Sequence, residues 1–82
     1  RSPGRGAFLY AGPNFSAASE RAVVEERWKY VRIDSKRGPQ EALFDLQSDP
    51  AERVNVIEDT ANAAVVERLG LFMDAESARL GL

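Results

Sequence analysis

Two strand-like runs joined at three successive charged residues constrain this chain more than any other feature. Arg21-Ala22-Val23-Val24-Glu25 and Trp28-Lys29-Tyr30-Val31-Arg32-Ile33 meet through Glu25-Glu26-Arg27, where apolar character lapses. So short a lapse predicts a tight antiparallel hairpin. None of the Gly or Asn residues favoured in two-residue hairpin turns is present, which leaves the turn type open. Side chains alternate along a strand, so Trp28, Tyr30 and Arg32 share one face while Lys29, Val31 and Ile33 share the other. Both faces carry bulky apolar groups. One helix covers only one face of a small sheet, so the second face is expected to meet solvent in part or to dock on a larger body. Trp28 and Tyr30 read first as core or edge aromatics, the usual fate of such residues, and only then as a substrate-binding pair.

Around this hairpin the chain divides into three parts. Residues 1–20 are rich in loop-forming residues, with three of the six glycines and two of the four prolines of the whole chain. They are interrupted by Ala7-Phe8-Leu9-Tyr10-Ala11, an apolar run between Gly6 and Gly12-Pro13 that reads as a short strand, with Phe15 as a loop anchor. Residues 21–46 hold the antiparallel strands: the hairpin, a polar loop at Ser35-Lys36-Arg37-Gly38-Pro39, and a further strand from Glu41 to Leu46. Asp49-Pro50-Ala51-Glu52 has the form of a helix start, with Asp49 as N-cap, Pro50 in the first turn and Glu52 reaching back to the Asp49 amide. Residues 60–80 then read as a helix capped by Asp59 or Thr60. Its apolar stripe is Ala61, Ala64, Val65, Leu69, Phe72, Met73 and Leu80, and its solvated side is Glu67, Arg68, Asp74 and Arg79. Gly70 inside the helix marks a close approach to the sheet or a soft spot, and Gly81 ends it. The fold class expected is α+β: a small antiparallel sheet of about four strands with a C-terminal helix packed on one face, residues 1–82 forming a single domain.

In order and spacing, the hairpin with Trp28-Lys29-Tyr30-Val31-Arg32, then Leu43-Phe44-Asp45-Leu46, then Asp49-Pro50-Ala51-Glu52 and Asn55 before a terminal helix, the chain resembles the C-terminal end of a sulfatase. The resemblance is firm from Arg21 to Asn55. It implies a parent enzyme in the alkaline-phosphatase-like superfamily, a sulfatase or a relative such as a phosphonate monoester hydrolase. There a large catalytic domain carries a formylglycine and a divalent metal, commonly calcium, and the small C-terminal subdomain packs against it and helps shape the substrate cleft or a subunit interface. It implies a periplasmic, secreted or cytoplasmic setting. Formylglycine arises in a Cys/Ser-x-Pro-x-Arg motif, and Ser2-Pro3-Gly4-Arg5 places its proline one position too early. With no Cys and no His, no residue here is assigned a catalytic, cofactor-binding or metal-binding role. What the resemblance implies is the non-catalytic accessory end of a sulfuric ester hydrolase. The alternative from another class is an autonomous protein–protein interaction module that uses an exposed sheet face or edge.

Composition narrows the partners. In 82 residues, 11 basic and 13 acidic side chains give a formal charge of −2, too near zero for electrostatic capture of nucleic acid or an anionic membrane. The basic residues near Trp28 and Tyr30 imitate a single-strand nucleic-acid platform, but Glu25, Glu26, Asp34 and Glu41 interleave with them. No apolar run approaches the length of a membrane span. The carboxylates Asp45, Asp49 and Glu52 lie close in sequence without a His or other basic companion, so capping explains them better than acid–base catalysis does. The expected partners are the parent's catalytic domain and, for the chain alone, a second copy.

Overall fold

The computed structural model describes residues 8–11, 20–34 and 37–81, the first of these stretches through its backbone. The loop readings at 1–7 and 12–19, Phe15 included, and those at Ser35 and Lys36 lie outside these residues. Four strands, β1 (Phe8–Ala11), β2 (Glu20–Val24), β3 (Trp28–Ile33) and β4 (Gln40–Asp45), form an antiparallel sheet in the order of the chain. A short 3-10 turn at Thr60–Asn62 leads into one helix, α1 (Ala63–Leu80). The protein is therefore α+β, an antiparallel sheet with a C-terminal helix on one side.

The hairpin between β2 and β3 closes as tightly as the sequence predicts, with the Glu25 amide donating to the Trp28 carbonyl at 2.9 Å. Among the described residues Glu52 alone, glycine apart, has positive φ. Glu26 and Arg27 thus turn the chain without the left-handed conformations of the usual two-residue hairpins, which explains why no Gly or Asn is needed. Arg27 instead fixes the corner from outside. Its guanidinium makes a two-pronged contact with Asp45 at 3.0 and 3.3 Å and lies 4.7 Å from the centre of the Trp28 ring.

Register settles which face the helix takes. Val23 pairs with Tyr30 and Tyr30 with Leu43, and these three side chains meet Trp28, Leu69 and Met73 in a core of fully or almost fully buried residues. Val56, Ile57, Val65, Val66 and Phe72 pack around it. The aromatic face is the covered one, and Trp28 and Tyr30 are core residues. The opposite face, with Ala22, Val24, Val31, Ala42 and Phe44 half-buried and Ile33 exposed, receives nothing from α1.

The helix departs from its expected stripe at both ends. Ala61, Ala64 and Leu80 are exposed, while Leu69 and Met73 carry the burial. Two residues expected in solvent reach back to the sheet. Arg68 donates two hydrogen bonds, at 2.8 and 3.0 Å, to the carboxylate of Glu25, itself 7% exposed. Asp74 accepts from Arg32 at 2.6 Å. A helix that leans on few apolar side chains is held in azimuth by such cross-links. Arg21 on β2 adds a third through the Ser77 hydroxyl at 2.9 Å. Gly70 marks a close approach: a Cβ there would sit 3.3 Å from Nη2 of Arg32 and 3.8 Å from the Tyr30 hydroxyl. Gly81 ends the helix at φ 77°, the left-handed stop that the sequence predicts.

Glu25 is a carboxylate almost out of water, so removal of its cation leaves a charge uncompensated. Arg68→Ala should lower unfolding stability by about 1–2 kcal/mol, less than for a fully buried pair because Arg68 keeps contact with solvent. The Glu25→Leu/Arg68→Met double substitution should recover most of that loss in urea denaturation, since it removes both charges together.

Candidate functional site

Three places in this fold gather polar side chains, and each shows what its residues are committed to. The first is the acidic run after β4. Asp45 accepts from the Arg27 guanidinium and from the Gln47 amide, and Arg27 holds its carboxyl below the ordinary range. Asp49 does not start a helix: the chain from 46 to 52 is a series of turns. The Asp49 carboxylate instead accepts from the amides of Arg53, at 2.9 and 3.0 Å, and Val54, at 2.9 Å, and those amides lower its pKa. The Glu52 side chain does not reach back to the Asp49 amide, although its own amide donates to the Asp49 carbonyl at 3.0 Å. Glu52 adopts φ 56° and turns under the sheet to meet Lys29 Nζ at 2.8 Å. The expected N-cap geometry failed because Asp-Pro serves a side-chain-capped turn as readily as a helix start. All three carboxylates are occupied by structural partners.

The second place is Asn55, which the sequence flags only as the end of a motif. Its side-chain carbonyl accepts from the Leu43 amide at 2.9 Å and from the Ile57 amide at 3.0 Å, and its amide group donates to the Glu41 carbonyl at 3.4 Å. The Val56 amide donates to the Leu43 carbonyl at 2.8 Å, and the Asp49 amide to the Asp45 carbonyl, also at 2.8 Å. Asn55 thus stands in for a neighbouring strand along the outer edge of β4. The Asp49 turn and the Asn55 amide form one device: the turn aims the chain back along β4, and the amide fastens it there.

The third place is a polar chain between sheet and helix. The Tyr30 hydroxyl donates to Glu41, Arg32 Nε donates to the Tyr30 oxygen at 3.1 Å, and Arg32 continues to Asp74. Burial first, and then the bond to Glu41, push the Tyr30 phenol up to about 12. At neutral pH it is a hydrogen-bond donor and no nucleophile. A depression of about 250 Å³ lies over this chain, bordered by Val66, Glu67, Gly70 and Leu71; it falls below the size of clefts that enclose small ligands. A second depression, of about 450 Å³, is bordered by Ile57, Glu58, Asp59, Thr60, Ala63, Val66 and Glu67. Both are open to solvent. Among the described residues no three His, Cys, Asp or Glu side chains are grouped so as to hold a metal ion, and no helix is long and apolar enough to cross a membrane.

Two sets of measurements check these assignments. Asn55→Ala should lower stability by about 1–2 kcal/mol in urea denaturation, because the β4 amide loses its acceptor. Asp49→Ala should lower the melting temperature as well. Its pKa is depressed in the folded state, so the stability it contributes is present above the unfolded carboxylate value and is lost as pH falls through the folded value; the two melting curves should converge in acid. Tyr30 carries the opposite sign. Its folded pKa is raised from 10.0 to about 12, so its contribution is full below pH 10 and disappears as pH rises through 12. Tyr30→Phe should remove that alkaline slope from a stability–pH curve.

Comparison with known proteins returns no matching family model and no matching curated protein.

Proposed function

We propose that this chain is the accessory, non-catalytic C-terminal subdomain of a sulfatase-type hydrolase, packing against the catalytic domain and contributing to the border of its substrate cleft. The observation that carries the reading is the coupling of the Leu43-Phe44-Asp45-Leu46 strand to the Asp49–Asn55 turn, in the order in which these residues resemble the end of a sulfatase, beside a sheet face that α1 leaves open. The motif residues are spent on backbone geometry: Asp49 on two amides, Asn55 on the β4 edge, Glu52 on Lys29. A four-stranded sheet that the described residues close on one face only suits a part that completes its core against a larger body.

The chemistry of the parent belongs to that larger body. A formylglycine and a divalent metal such as calcium do not fit the residues present here: the sequence has no Cys/Ser-x-Pro-x-Arg motif, and the carboxylates of Asp45, Asp49 and Glu52 are held by arginine, backbone and lysine partners and are not grouped around a common point. Hydrolysis of a sulfate ester needs an activated nucleophile and a cationic clamp for the developing charge, and no step is assigned to this chain.

Sequencing the gene upstream of Arg1 tests the reading directly. A Cys/Ser-x-Pro-x-Arg motif several hundred residues earlier in the same frame is the expected result, whereas a start codon close to Arg1 would overturn it in favour of an autonomous interaction module. The purified chain, incubated with an aryl sulfate and calcium, should give no turnover above the buffer blank. Activity that follows the chain through two successive columns would overturn the non-catalytic assignment.

A further inference from the structure

We propose that the open face of the sheet is a self-complementary docking surface, on which a second copy of the chain seats by a two-fold axis lying between the two sheets and running across the strands. The inference names the surface that the accessory reading leaves open, and it rests on the charge pattern of that face.

The face has an apolar middle, the carboxylate of Glu20 toward one end and, at the other, the Lys29 ammonium, which is already paired with Glu52 but keeps donors to spare. Val31 lies between Ala22 and Ala42 in register. At one end Lys29 pairs in register with Val24 and Phe44. At the other, Ile33 lies between Glu20 and Gln40. Ile33 is 37% exposed, among the described large apolar side chains that face solvent most. Glu20 is exposed, and among the described residues its carboxylate has no hydrogen bond or ion pair. Lys29 gives one of its three N–H donors to Glu52, which leaves two for a further acceptor.

This arrangement selects the symmetry. An axis parallel to the strands would lay Lys29 against Lys29 and Glu20 against Glu20. An axis across the strands reverses one sheet end to end and brings Lys29 of each copy toward Glu20 of the other, twice, with Val31 and Ile33 sealed between. The same-patch, two-fold arrangement is the commonest closed assembly, and twisted sheets stack face to face at roughly 10 Å. Growth by adding a strand beyond β4 is closed off, because Asn55 and Val56 occupy that edge.

Size decides the strength. Four strands of four to six residues span roughly 19 Å by about 18 Å, so the buried surface falls short of the roughly 800 Å² per partner of a standard stable interface. The pair is therefore weak, forming in the upper micromolar range, and is displaced by any larger body that covers the same face.

Sedimentation equilibrium of the full chain from micromolar to millimolar concentration is the test. A reversible monomer–dimer equilibrium is expected, weakened by added salt. Glu20→Lys and Ile33→Lys should each raise the dissociation constant by about tenfold or more, while Leu71→Ser, which removes a still more exposed apolar side chain from the outer side of α1, should leave it unchanged. Circular dichroism confirms that each variant is folded before it is scored. A chain that stays monomeric at millimolar concentration overturns the proposal, as does a dimer indifferent to Glu20 and Ile33 but lost in Leu71→Ser. The two readings fail separately: a monomeric chain with a Cys/Ser-x-Pro-x-Arg motif upstream sinks the self-pairing and leaves the accessory role intact, and a salt-sensitive dimer with no such motif does the reverse.

Discussion

The side chains of Val23, Trp28, Tyr30, Leu43, Leu69 and Met73 are the buried apolar core that joins helix to sheet, and such a core sets distance better than it sets angle. Apolar contact is non-directional, so the burial of Leu69 and Met73 chooses the side of the helix that meets the sheet but opposes small rotations about its axis only weakly. The three charged or polar ties, Glu25 to Arg68, Arg32 to Asp74 and Arg21 to Ser77, remove that freedom. Gly70 belongs to the same solution: without a side chain, the helix lets the Arg32 guanidinium lie against its backbone while still reaching Asp74. Orientation here is electrostatic, and adhesion is hydrophobic.

That division explains what could be read from the sequence. The strands were legible because alternation is local: β3 matches its expected bounds, Trp28 to Ile33, and β2 and β4 are each shifted from theirs by one residue toward the N-terminus at both ends. The helix and its Gly81 stop were legible for the same reason. What was hidden depends on partners far along the chain. Arg68 meets Glu25 across 43 positions and Asp74 meets Arg32 across 42, so both looked like surface charges. The choice of covered face was equally hidden, since Trp28 and Val31 are both apolar and only the Val23–Tyr30–Leu43 register row decides between them.

The Asp49 turn is the instructive misreading. Asp-Pro-x-Glu satisfies the rules of a helix start, and the carboxylate does accept backbone amides as a cap should. The amides are those of Arg53 and Val54, four and five positions on, and Glu52 enters the left-handed region instead of the first helical turn. What overrides the local preference is the unpaired edge of β4: its carbonyls and the Leu43 amide need partners, and only a chain turned back on itself can bring Asn55 and Val56 to them. For the polar groups of the candidate site, structural duty is the simpler account of why they are where they are.

An amide that impersonates a strand has a consequence beyond this molecule's own stability. Open sheet edges recruit other chains, and proteins guard them with charge, proline or twist. Here the guard is one side chain and one backbone amide on a loop: Asn55 supplies an acceptor and a donor, and the Val56 amide completes the pairing. It terminates the ladder without adding a strand that would itself need terminating. Were that loop to swing away, β4 would present Ala42, Leu43 and Phe44 on a bare edge, a template for cross-β stacking. The guard is therefore aimed by the turn that contains Glu52, whose left-handed backbone is the one strained position among its described non-glycine residues.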